Sequence, residues 1–287
     1  QTTLGKSEHL KNPSMVAIHK YFDEYYVPNN YAMVLVGDLE FEKTIQLIDQ
    51  YFGTFKYREL PLKKVVAEEP MSKIAERVVK SPSTERLQLA WRTDSYGTKG
   101  FRLADLVANI LTNSGESGLI DLNINQSQKA LRAIAYATPF KNYGTFSMVI
   151  VPKIDQTLEE AKKLLLDQIE IVKKGDFPDW LISAITNDFK IQKLKAFETA
   201  DGLATALYGT FINNQSWEEE LNDLNEYAQI TKEEIINFAN DFFKDNSKSN
   251  NALTSKKTGA YINILLAKYP RSLITGNIIK TSSNDDN

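Results

Sequence analysis

Apolar side chains recur at Met15, Ile18, Phe22 and Tyr25, one face of a helix with Asn12 as candidate N-cap and Pro13 at its first position. Pro28-Asn29-Asn30 ends that pattern. The unbroken apolar run Ala32-Met33-Val34-Leu35-Val36, stopped by Gly37-Asp38, predicts a strand buried on both faces. Ile45, Ile48 and Phe52 form one stripe of a second amphipathic helix over residues 41–52, closed by Gly53. From residue 54 to residue 72 periodicity is lost among prolines, lysines and glutamates, as in a linker between domains.

The pattern then changes to alternation. Leu87, Leu89 and Trp91 interleave with Gln88, Ala90 and Arg92, a strand with one wetter face. Helical spacing covers residues 101–111 and resumes over 119–126, on either side of Asn113-Ser114-Gly115-Glu116-Ser117-Gly118. Residues 131–138 and 145–151 read as further strands around a turn at 139–144. Thr157 and Glu160 form a capping box ahead of Leu158, Ala161, Leu165 and Val172, and Gly175 ends that helix. Pro178 starts a long helix broken near Gly202 or Gly209; residues 217–227 form another, and Thr231 with Glu234 caps the last. Strands and helices come in blocks rather than in βαβ alternation, which favours an α+β fold with an antiparallel sheet flanked by helices.

Two stretches repeat. Ile18, Tyr21, Tyr25, Tyr26 and Asn29 match Ile235, Phe238, Phe242, Phe243 and Asn246 at constant offset, so the same helix is expected twice in two units of one fold, unless any two helices with a core-facing aromatic stripe would look alike. After the second copy, residues 248–253 are too polar for the strand that follows the first. Residues 247–287 are therefore expected to be an irregular tail, with Leu265, Leu266, Ile274 and Ile278 as an apolar extension able to dock.

Composition narrows the function. The 287 residues amount to about two domains. Lys and Arg number 34 against 37 Asp and Glu, so no surplus of positive charge supports nucleic-acid binding. No apolar run approaches the ~20 residues of a bilayer span. Cysteine is absent, which removes disulfides, thiolate metal sites and cysteine nucleophiles. The two histidines, His9 and His19, are too far apart for a paired metal motif; His19 with Asp23 reads as a solvated helix face. The loop around Gly115 and Gly118 superficially resembles a phosphate cradle, the site a small-molecule enzyme would use, but it lacks the Lys-Ser/Thr of a P-loop. A glycine turn before a helix is the plainer interpretation. Glu159-Glu160 and Glu233-Glu234 sit in first helical turns and complement the helix dipole.

Several segments together resemble the M16 (insulinase/pitrilysin-like) zinc metallopeptidases. Tyr25-Tyr26-Val27-Pro28-Asn29-Asn30 running into Val34-Leu35-Val36-Gly37-Asp38 looks like that family's YYxPNNxxLxVxGD junction, and residues 42–52 resemble the helix after it. Residues 111–121 fall at the family's Gly/Ser turn. Residues 129–136 fall at its RxxxGLAY, with Lys129 for the Arg, Ala133 for the Gly and Tyr136 kept.

The resemblance implies repeated α+β domains, each an antiparallel sheet flanked by helices, enclosing a peptide chamber. It divides the chain into the C-terminal part of a first M16-like domain (1–60), a linker (61–74), a second, non-catalytic domain (75–246) and the tail (247–287). The family's HxxEH is absent, so the chain is expected to hold no catalytic or metal residues; zinc and an upstream catalytic domain would belong to a longer parent that cleaves peptides or proteins. Lys129 and Tyr136 are the implied substrate contacts. A metal-free structural or peptide-binding subunit is the rival expectation. A periplasmic or envelope location is also expected, as is self-association through residues 1–60, whose apolar stripes would belong under a sheet.

Overall fold

The computed structural model describes residues 5–61, 84–244 and, by backbone alone, 76–78 and 264–266. The elements run α1 (Ser7–Lys11), α2 (Met15–Tyr25), a 3-10 turn (Pro28–Asn30), α3 (Phe41–Phe52), β1 (Glu76–Val78), β2 (Leu87–Thr93) and α4 (Lys99–Leu111). A π-helical turn (Asp121–Gln126), β3 (Arg132–Thr138), β4 (Gly144–Val151), α5 (Leu158–Lys174) and α6 (Trp180–Phe197) follow. The last are α7 (Ala200–Asn213), α8 (Trp217–Ala228), α9 (Lys232–Phe242) and β5 (Ile264–Leu266).

Local chemistry explains most boundaries. In both capping boxes the threonine hydroxyl takes the backbone N–H of the glutamate three residues on, and that glutamate returns to the threonine N–H. These bonds, with the Lys99 ammonium at Glu234, hold both carboxyls below the usual carboxylate range. Gly175 closes α5 in the left-handed region at φ +70°, where a side chain would be strained. The break expected near Gly202 or Gly209 falls before Gly202, at Thr199, whose hydroxyl caps α7 by accepting from Gly202 N–H. A Cβ on Gly202 would lie 2.1 Å from the Ala196 carbonyl oxygen, so the tight α6–α7 junction requires glycine there. Helix α2 begins two residues later than expected: Ser14, not Asn12, is the N-cap.

The chain divides into two compact units, Gln1–Glu69 with Ile191–Glu220, and Pro70–Lys190 with Leu221–Asn287. The division falls inside α6 and α8, whereas the sequence pattern kept 75–246 together; periodicity along one stretch does not report which distant stretch it packs with.

The second unit is α+β as expected. Strands β2 and β3 both pair antiparallel with β4, in the order β2-β4-β3, with Leu89 and Ala135 opposite Met148. One sheet face carries Leu87, Leu89, Trp91, Phe146, Met148 and Ile150, all buried. Helices α4, α5 and α9 cover it. Phe242 and Phe243 at the end of α9 close edge-to-face on Phe146, and Phe243 also on Trp91 at 5.1 Å. A separate parallel pair joins β1 to β5. The expected irregular tail therefore contains a strand at Ile264–Leu266, since three apolar residues suffice for a short pairing. The rest of the tail, Asn246, and the linker from residue 62 lie outside the described residues.

The first unit departs from expectation. Residues 32–36 form no strand, and Met33 and Leu35 are about half exposed. An apolar run on both faces shows that a segment suits a sheet interior; it does not supply the neighbouring strands. Among the described residues none pairs with it. The stripes of α2 and α3 are equally bare, and neither helix buries a residue.

Candidate functional site

His9 and His19 lie exposed on α1 and α2, and no group of three His, Cys, Asp or Glu suited to a metal ion occurs among the described residues. The residues present do not fit the zinc ligand set of a peptidase.

The Gly/Ser loop is closed by the chain's own oxygens. Asn113 Oδ1 accepts from Gly115 N–H, Ser117 N–H and the Ser117 hydroxyl, while Asp121 Oδ2 accepts from Asn113 N–H at 3.0 Å and Gly118 N–H at 3.1 Å. These are the donors a phosphate would need, and the Asn113 amide oxygen and the buried Asp121 carboxylate already occupy them. Gly118 is required for packing, because a Cβ there would meet the Leu111 carbonyl oxygen at 2.4 Å. The same segment shields the edge of the sheet. Asn125 pairs with Ala133 like a one-residue strand, its side-chain amide donating to the carbonyl and accepting from the N–H, both at 2.8 Å. The Thr112 hydroxyl oxygen accepts from Ala135 N–H at 3.0 Å.

The face of the sheet opposite the core is partly open, with Ala90 and Ser147 buried at its centre. On it stand Gln88 and Arg92 from β2, Thr145 and Val149 from β4, and Ile134 and Tyr136 from β3, half-buried or exposed. Tyr136 is 39% exposed and faces Ser147 across the ladder. Arg92 lies over the Tyr143 ring at 5.7 Å. Lys129 is exposed in the turn before β3, its carbonyl accepting from the Gln156 amide. The structure does not join Lys129 and Tyr136 into one cluster: one precedes β3 and the other is the fifth residue of it. Arg92 and Arg132 share the open face with Tyr136, and the alternation through Gln88, Ala90 and Arg92 was the signal that could have named Arg92.

Sequence gave no sign of Asp105, flanked by apolar residues on α4. Burial pushes its carboxyl up to about 6; the hydrogen bond from the Tyr227 hydroxyl opposes that shift, and the charge of Asp223 adds to it. In the first unit, α2, the 3-10 turn and α3 border an open groove of about 800 Å³, lined by Phe22, Tyr26, Met33, Ile48 and Phe52 with Lys56 at the rim.

The profile of the Peptidase M16 inactive domain matches residues 16–188. The chain is 20% identical over 250 residues to the zinc protease PqqE of Helicobacter pylori, covering 85% of this chain and 56% of that protein. It therefore spans little more than half of that relative's length. Among solved structures, a protease from Helicobacter pylori superposes with a TM-score of 0.75 at 17% identity, over 91% of this chain and 61% of that one. The first half of the periplasmic protease PqqL from Escherichia coli superposes with a TM-score of 0.67 at 12% identity, over 93% and 58%. At these identities the structural likeness speaks for the fold.

Proposed function

The chain belongs to the M16 peptidase family through its inactive domain, and from that premise we propose that it is a catalytically silent segment of a zinc-dependent metalloendopeptidase, contributing chamber wall and domain packing. The observation that carries this reading is the one-sided sheet of the second unit. Helices take one face, and Arg92, Arg132, Ile134, Tyr136 and Thr145 remain accessible on the other. A surface that meets many peptides needs this mixture, apolar ground for side chains with scattered donors for carbonyls and carboxylates. Tyr136 is the substrate contact we assign there, with Lys129 adding charge at the rim. The bare helices of the first unit offer the surface on which an upstream catalytic domain packs. Zinc and its activated water belong to that domain, so no step of hydrolysis is given to residues of this chain. We place the protein in the periplasm or cell envelope, in keeping with the periplasmic protease that shares its fold and with the absence of cysteine.

A metal-free structural or peptide-binding subunit is the second reading, favoured by the match to an inactive-domain profile. Metal analysis and peptide cleavage on the parent protein separate the two. The first reading expects about one zinc per parent molecule, none retained by this chain alone, and a Tyr136→Ala parent whose KM rises several-fold while kcat is kept. A parent without zinc or cleavage selects the second reading. Tight zinc on this chain alone overturns both, and an unchanged KM removes Tyr136 from the wall.

A further inference from the structure

Helices α4 and α8 meet in a seam that sets one guanidinium against three carboxylates. Arg102 Nε donates to Asp223 Oδ1 at 2.7 Å, and its Nη1 lies 3.8 Å from Glu226 Oε2. One turn along α4, Asp105 Oδ2 accepts from the Tyr227 hydroxyl at 2.8 Å, and its Oδ1 accepts from the Asn109 side-chain amide at 3.3 Å. Phe189 of α6 closes edge-to-face on the Tyr227 ring at 5.1 Å and brings no charge. Helix α9, also against α4, directs Glu234 to Lys99 instead. The charged and titratable neighbours of Asp105 are thus Asp223, Glu226 and Tyr227 on α8 and Arg102 on its own helix. Burial and the adjacent carboxylates keep the Tyr227 hydroxyl protonated throughout the ordinary pH range. Asp105, its carboxyl raised by burial to about 6, can change charge near neutrality.

We propose that the α4–α8 seam is a proton-operated latch, in which proton uptake at Asp105 tightens the hold of α8 and proton loss slackens it. The sign follows from linkage. In the closed seam Asp105 titrates near 6, above the 3.8 of a free aspartate, so the closed seam binds the proton more tightly than the open one. The resulting stabilisation is full below the free value and is lost as pH rises through 6. Every residue of the latch belongs to the second compact unit, so it acts within that unit. Glu160 and Glu234, whose carboxyls are held low, lose their contribution only in more acidic solution and leave this window clear.

Amide hydrogen exchange on the full chain between pH 5 and 8, corrected for intrinsic rates, tests the latch. Protection of residues 221–228 should fall roughly tenfold as pH rises, while α5 stays level. Asp105→Asn, which keeps shape and removes the charge, should hold α8 at its acid level of protection at every pH. Tyr227→Phe removes the hydrogen bond that favours the carboxylate, so it should move the midpoint to higher pH. Wild-type protection that ignores pH, or an Asp105→Asn chain that keeps the wild-type dependence, overturns the proposal. Should Asp105→Asn fail to fold, the Tyr227→Phe midpoint decides: an upward move supports the latch and an unmoved one refutes it.

Discussion

Asp121 shows how one side chain can settle the chemistry of a loop. Its buried carboxylate gathers the N–H groups of Asn113 and Gly118, and its other oxygen lies 3.4 Å from the Asn125 amide that pairs with Ala133. Loop closure and the sheet edge therefore depend on one residue. Asp121→Ala would leave two backbone donors without their acceptor, each costing about 1–3 kcal/mol where water cannot replace it. We expect a loss of roughly 2–4 kcal/mol in urea unfolding of the second unit. A loss below about 0.5 kcal/mol, the range of ordinary surface substitutions, would show that the loop closes without it. The sequence showed a glycine- and serine-rich turn and gave reason to doubt a phosphate site, since Lys-Ser/Thr was missing. It could not show that an acid eight residues after Asn113 fills the cradle, because that contact needs the loop between them folded back so that Asp121, at the start of the π-helical turn, meets Asn113.

The two copies of the aromatic helix give the corresponding lesson for elements. Helix α9 sets Ile235, Phe242 and Phe243 into the core, while on α2 the matching Ile18 is 48% and Tyr26 51% exposed. Both helices stack their own rings at the C-terminal end, Phe22 on Tyr26 and Phe238 on Phe242. Pattern thus fixed where the helices lie and which face is apolar, and it fixed the strands of the sheet within a residue or so. It could not say which stripe is covered, because cover is supplied by a different stretch of chain. The strand expected at residues 32–36 failed for that reason: its side chains suit a sheet whose other strands are not among the described residues. One aromatic substitution on each helix should expose the asymmetry. Phe242→Ala removes a ring packed against Phe146 and should cost about 3–5 kcal/mol, whereas Tyr21→Ala, at 56% exposure, should stay within about 0.5 kcal/mol. Comparable losses at both positions would mean that α2 is covered after all.

For the molecule as a whole, the contrast lies between a closed unit and an open one. Among the described residues, the largest side chains below 2% exposure all belong to the second unit, and its core runs from Leu87 to Phe243. The first unit shows the opposite: Val16, Phe41 and Tyr57 are each more than 70% exposed, beside a groove lined with aromatic rings. An apolar surface of that kind gains on the order of 25 cal/mol for each Å² it removes from water, so at rising concentration it will find cover in another molecule. Segment 32–36 adds backbone donors and acceptors outside any sheet, which favour pairing with a strand from a second chain. We therefore expect the full chain to associate reversibly through residues 5–61, in sedimentation experiments from micromolar to submillimolar concentration. Lysine at Met33 and Leu35 together should suppress association by placing charge on the segment, while Tyr136→Lys, on the sheet face of the other unit, should leave it unchanged. The controls separate the possible sources: association that survives the first pair and yields to Tyr136→Lys would locate the adhesive surface on the sheet. A wild-type chain that stays monomeric across the whole range would show that the apolar face of the first unit is covered from within.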